Sequence, residues 1–302
     1  MTPVTPTSLV TLALLGRGDR AQSVAEVVVA LRNLLYNVRG RGLPTTGDLD
    51  LDDPTGIRRT LDQLVENGVL TCFAGGFEPV YAIGPNQHLT AAYYRNTIAH
   101  FFVNGAIAEL ALLRAGEDDV LDFRAEFWAE ALRLRDLLKF EFFFAERERF
   151  RHELSDELTF HAPGWEETIE HGPAAIQTVL RRIRPYMAHR VLLPFFEAYQ
   201  VVGDALEREG ANAAIDEKAF LDRCMALAEQ YRLQHHIRSA ESVSKVLFES
   251  ALRLAKNRGL IGTDAADLPA RRTTFAADLH AAIRRTEAID ALAATRRAGL
   301  ID

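Results

Sequence analysis

From Asn86 to the C-terminus, apolar residues recur at helical spacing in every periodic segment, and no strand-type run interrupts them. A stretch of that length with a 3.6-residue period restricts the chain to helix-on-helix packing. The predicted helices cover residues 90–114, 123–144, 146–160, 173–184 and 185–209, the last bent at Pro194. Another is marked by Phe220, Cys224, Leu227 and Tyr231. The next is capped by Ser239, buries Val243, Val246, Leu247, Ser250 and Leu254, and closes at Gly259. The last spans 273–298, with Phe275, Leu279, Ile283 and Ile289 inward. The 98–113 run is the longest apolar stretch, but His100, Asn104 and Glu109 break it. A spanning helix needs about 20 apolar residues, so this one is expected to be buried.

The first 85 residues have a different rhythm. A short apolar helix over 8–15 follows two prolines, and Ser23 with Glu26 forms a capping-box signature for a second helix. Asp53-Pro54 starts a third, with the acid as N-cap and proline in the first turn. Two short β-type runs, 69–73 and 80–83, flank Gly75-Gly76 and read as a hairpin. The expected architecture is mainly α: a winged-helix-like unit with one β-hairpin (1–85), then a multi-helix domain (86–302).

Charge and composition exclude several functions. The formal net charge of −7 argues against a nucleic-acid partner and against charge-driven binding to an anionic membrane. Cys72 and Cys224 lie far apart with no metal-type spacing, which fits a reduced compartment. The N-terminal apolar run has no basic segment before it, so a signal peptide is not expected. No H-E-x-x-H, C-x-x-C, P-loop, G-x-G-x-x-G or G-x-S-x-G is present, and no Glu has His three residues on, as a helical di-metal site requires. No cofactor is implied.

One block stands out at the head of the long helical region: Tyr93-Tyr94-Arg95-Asn96. It resembles a block of the bacterial glycerol-3-phosphate acyltransferases (PlsB type), especially the actinobacterial members. Further stretches resemble the same family in the same order. They are Val4 to Thr11, Phe127-Trp128, the run from Leu132 through Arg135, Asp136 and Lys139 to Phe144, Phe195 to Tyr199, and Arg238 to Ser244. The resemblance implies a peripheral enzyme on the cytoplasmic side of the plasma membrane. Such an enzyme moves an acyl group from acyl-CoA or acyl carrier protein to the 1-hydroxyl of glycerol 3-phosphate. The product is lysophosphatidic acid, for phospholipid biosynthesis.

The family's catalytic motif is His-x-x-x-x-Asp, a general base with its orienting acid. None of the nine histidines here has aspartate five residues on. The resemblance therefore covers the family's C-terminal portion, and the expected partner is a catalytic domain, in cis or on another chain, that binds both substrates. Tyr93, Tyr94, Arg95, Asn96, Arg135, Asp136 and Lys139 are expected as structural or domain-interface residues and not as catalysts. Arg95 and Asn96 have two readings: a contact to that domain or to phosphate, or a hydrogen-bond network fixing the helix. His100 is expected as a hydrogen-bonded core histidine. The aromatic run 140–144 cannot face one core entirely and is divided between core, catalytic domain and membrane. Arg181, Arg182, Arg184 and Arg190 read as a solvated helix face, with lipid headgroups or CoA phosphates as the alternative. The rival function is a winged-helix DNA-binding regulator whose helical part is an effector domain.

Overall fold

Reciprocal caps set the first helices of the computed structural model, which describes residues 2–18, 20–47, 49–209, 215–262 and 266–300. Helix α1 (Pro6–Leu15) begins where Thr5 and Ser8 cap one another. A two-residue strand, β1 (Gln22–Ser23), leads into α2 (Val24–Gly40), whose Ser23–Glu26 box forms as the sequence predicts. Asp53 Oδ1 accepts from the backbone N–H groups of Thr55 at 2.6 Å and Gly56 at 2.9 Å, opening α3 (Pro54–Glu66). The expected hairpin follows as β2 (Leu70–Phe73) and β3 (Val80–Ile83), paired antiparallel with Leu70 opposite Ile83. β1 pairs with the other edge of β3, giving the order β1-β3-β2. Two residues are too few for a period-2 signal, so the sequence did not announce that strand.

The helix expected over 90–114 is two helices, α4 (His88–Ala99) and α5 (Val103–Ala115), bent by 88°. At the corner the N–H groups of Phe101 and Phe102 donate to Ile98 and Ala99, each at 3.0 Å, and the Arg41 guanidinium holds the Phe101 carbonyl at 2.9 Å. Packing decides the break: α4 lies along α1, and α5 lies among later helices. His100 sits exposed at this corner beside the Phe101 ring, not in the core. Without the bend, one apolar rod would have to fill two differently oriented grooves.

Helix α6 (Phe123–Leu137) ends before the aromatic run, which is irregular and not helical. Phe140, Phe142 and Phe144 pack on the core, Phe142 against Phe195 and Phe144 against Phe150, while Phe143 is fully exposed. Next come α7 (Arg147–His161), α8 (Trp165–Ile169), α9 (Pro173–Arg182), α10 (Ala188–Val191) and α11 (Leu193–Glu207). Pro194 lies in the first turn of α11, so it starts a helix instead of bending one. After α12 (Glu217–Leu233), Ser239 precedes a short 3-10 turn (Ala240–Ser242) and does not cap the next helix. That helix, α13 (Lys245–Asn257), starts after Ser244 and buries Phe248, Ser250, Ala251 and Leu254, leaving Val246 exposed. The last, α14 (Leu268–Arg297), packs along α11. Gly203 allows that approach, since a Cβ there would stand 3.0 Å from Leu279 Cδ1.

The fold is thus mainly α, with one small antiparallel sheet near the N-terminus. Helix α5 runs through its middle, with Ala106, Ile107, Ala108, Leu110, Ala111 and Leu112 wholly buried. No single helix among the described residues is long and apolar enough to cross a membrane.

Candidate functional site

Three of the family-like blocks, at 93–96, 195–199 and 238–244, meet at one place. Arg95, on the buried side of α4, reaches the 3-10 turn and makes a two-pronged ion pair with Glu241, 2.7 Å to each carboxylate oxygen. Both side chains are almost wholly buried. Asn96 Oδ1 accepts from Arg95 Nη2 at 2.7 Å, the Arg190 carbonyl accepts from Arg95 Nη1 at 3.4 Å, and the Ser239 hydroxyl donates to Glu241 at 3.1 Å. Glu197 of α11 ties down the same turn, accepting from the N–H groups of Arg238 and Ser239 and the Ser242 hydroxyl. Tyr93 and Tyr94 stand outside the network: Tyr93 is exposed and half-buried Tyr94 lies edge-on to it.

Above this pair lies a cavity of about 250 Å³, walled by the end of α1, by α4, α10, the 3-10 turn and α14. Its described wall carries six arginines (Arg17, Arg20, Arg95, Arg190, Arg238 and Arg297) against two carboxylates, Glu241 and Asp290. Gly16 lets the Arg190 stem cross the end of α1; a Cβ would come within 2.8 Å of Arg190 Cγ. Burial, then the neighbouring Arg297 and Arg17, bring the Arg190 guanidinium down to about 10. Burial, followed by Arg190 and Arg297, keeps His189 neutral, well below the usual histidine range. Such a wall favours an anion.

Arg190 does not lie on the solvated face expected for it. Arg181, Arg182 and Arg184 are exposed as expected, but Arg190 is buried. One helical turn of α10, fixed at its start by Glu109, points it inward. Glu109 is wholly buried and accepts the Met187 and Ala188 N–H groups at 2.7 and 2.9 Å. Burial pushes its carboxyl up to about 8. Sequence reasoning missed Arg17, His189 and Arg297 altogether, because residues this far apart share no local pattern.

Arg135, Asp136 and Lys139 form a separate cluster at the end of α6. Arg135 donates to the Ala145 carbonyl at 2.6 Å and covers the Phe144 and Phe150 rings. Asp136 pairs with Lys139 at 2.9 Å and Arg258 at 3.0 Å, while Lys139 reaches Asn257 at the end of α13. Burial resists ionisation of Asp136, but the two cations outweigh it and hold its carboxyl below the usual range. No group of three or more metal-ligating side chains occurs among the described residues.

Residues 1–264 match the family described as "Glycerol-3-phosphate acyltransferase C-terminal region", and the chain belongs to that family. Proteins named "Putative acyltransferase plsB1" from Mycobacterium bovis and Mycobacterium tuberculosis are 42% identical over 295 residues, which is 97% of this chain and 47% of theirs. The chain spans about half the length of these curated relatives.

Proposed function

We propose that this chain supports the catalytic domain of a glycerol-3-phosphate 1-O-acyltransferase and does not itself transfer the acyl group. The observation that carries the reading is the mismatch between membership and motif. The chain belongs to the family's C-terminal region, yet none of its nine histidines begins a His-x-x-x-x-Asp motif. Its family-like residues favour a scaffolding role: Arg95 is consumed by Glu241, and Asp136 by Lys139 and Arg258. On this reading the catalytic domain binds glycerol 3-phosphate and acyl-CoA or acyl carrier protein. The chain gives it a rigid partner surface and contributes peripheral membrane contact. Exposed Phe73 and Phe77, at and beside the β2–β3 hairpin, suit that contact.

The test is acyl transfer from radiolabelled acyl-CoA to glycerol 3-phosphate. The purified chain gives no product above a blank, whereas co-expression with the N-terminal half of a mycobacterial relative restores turnover. Turnover by the chain alone would refute the proposal. Liposome flotation checks the membrane contact: Phe73→Ser with Phe77→Ser reduces the floating fraction if the hairpin docks, and leaves it unchanged if it does not.

A further inference from the structure

We propose that Arg17, Arg190 and Arg297 form a binding site for a phosphate monoester within this C-terminal region. The first observation is an unanswered charge. Arg190 is 6% exposed, and its Nε and Nη1 find no hydrogen-bond partner among the described residues. Arg17 Nε and both His189 ring nitrogens are in the same condition. A buried cation without a counter-ion costs several kcal/mol after relaxation, so proteins seldom keep one without something to bind.

The carboxylates nearby answer that charge only in part: Glu109 acts on Arg190 through space, but its two oxygens are spent on the Met187 and Ala188 N–H groups. Glu241 is committed to Arg95. Asp290 stands 3.9 Å from His189 and 4.0 Å from Arg297, too far for a hydrogen bond to either. Glu26 stands 3.8 Å from Arg17, and it is already engaged by Arg20 at 3.4 Å and by the Ser23 N–H at 3.0 Å. The guanidinium groups thus crowd one another, and Arg297 is itself pushed down by burial and by Arg17. A dianion with several acceptor oxygens relieves this crowding and takes up the free N–H donors. Planar guanidinium forks match phosphate oxygens better than they match a lone carboxylate.

The space also limits the ligand. A cavity of about 250 Å³ lies a little below the roughly 300–1,000 Å³ of ordinary small-molecule sites, which suits one headgroup-sized anion. The same three arginines border a second groove of about 520 Å³, mostly apolar through Val29, Ala30, Tyr186 and Ala293 but carrying Glu26 and Asn33 as well. Polar recognition and a largely apolar groove thus share one rim. A phosphate monoester fits in either of two forms: a free soluble anion, or a lipid headgroup whose chain follows the groove.

The experiment titrates the full chain with inorganic phosphate, following thermal midpoint and calorimetric heat, with chloride at matched ionic strength as control. A parallel arm uses phosphatidylcholine vesicles with and without phosphatidate. Arg190→Met and the half-exposed Arg297→Gln are the variants. Phosphate raises the wild-type midpoint more than chloride does, and each variant weakens binding about tenfold or more. Without phosphate, Arg190→Met melts no lower than wild type, since it removes an uncompensated charge. Binding of inorganic phosphate, lost in the variants, supports a soluble ligand. Binding only to phosphatidate vesicles, lost in the variants, supports the headgroup. No binding in either arm, or binding that both variants leave unchanged, overturns the proposal.

Discussion

Removing one partner of the Arg95–Glu241 pair should be far worse than removing both. The side chains are 1% and 6% exposed, so neither orphan can turn to water. Breaking a buried pair from one side costs about 3–5 kcal/mol, whereas an apolar pair of similar volume is often nearly neutral. The two single variants should also differ. Arg95→Met leaves Glu241 beside the basic cavity, where Arg190 and Arg238 supply replacement positive charge, so its cost belongs near 3 kcal/mol. Glu241→Leu leaves Arg95 as one more unpaired cation among arginines, so its cost belongs near 5 kcal/mol. Against a typical stability of about 5–15 kcal/mol, either loss is easily read from urea unfolding. The double variant should recover at least 2 kcal/mol relative to the sum of the singles, on the scale of coupled neighbours. Strictly additive losses, or an Arg95→Met cost above that of Glu241→Leu, would refute this account of the pair and of the cavity's positive field.

Gly56 offers a test of opposite sign to helix propensity. Alanine in a helix is ordinarily worth about 1 kcal/mol over glycine, but a Cβ here would lie 1.8 Å from the Asp50 carbonyl oxygen. Gly56→Ala should therefore lower stability by about 1–3 kcal/mol in urea unfolding, and a stabilised variant would show that the approach of the 49–53 segment to α3 is wrong. Glu109 gives a pH signature. Its folded carboxyl is raised to about 8 from the ordinary carboxylate range, so its contribution is complete in acid and is lost as pH rises through 8. Between pH 7 and 8, above the range where the raised Glu157 adds to it and the depressed His161 and His189 oppose it, stability should fall by up to about 1.4 kcal/mol per pH unit. Thermal melts across that range check it, and Glu109→Gln should flatten the slope. Overfilling the α11–α14 contact by Gly203→Val should cost about 1–3 kcal/mol, visible as a lower unfolding midpoint.

Much of the fold was legible because its signals are local. The Ser23–Glu26 box, the Asp53-Pro54 start and the 3.6-residue stripe of α2 involve residues within one or two turns of each other. Propensity and pattern failed where a distant element decided. The α4–α5 corner occurs inside an apolar run that reads as one helix, because α1 and α6 occupy different grooves. Ser239 reads as an N-cap, yet its N–H is taken by Glu197 from α11, 42 positions away in sequence.

The candidate site divides in the same way. Arg95 and the Arg238-Ser239-Ala240-Glu241 stretch were conspicuous as separate blocks, and nothing in their spacing says that Arg95 and Glu241 share a bond. Arg190 looked like one of four surface arginines, since a basic run carries no mark of which member turns inward. What the sequence by itself determined was the helical class, the β2–β3 hairpin and the family to which the chain belongs, because periodicity, caps and motif order are written in short segments. What only the tertiary structure decided was the convergence of Arg17, Arg190 and Arg297 on one cavity. Burial and mutual repulsion arise when α1, α10 and α14 pack together, and a guanidinium becomes an unanswered charge only after its neighbours have removed the water.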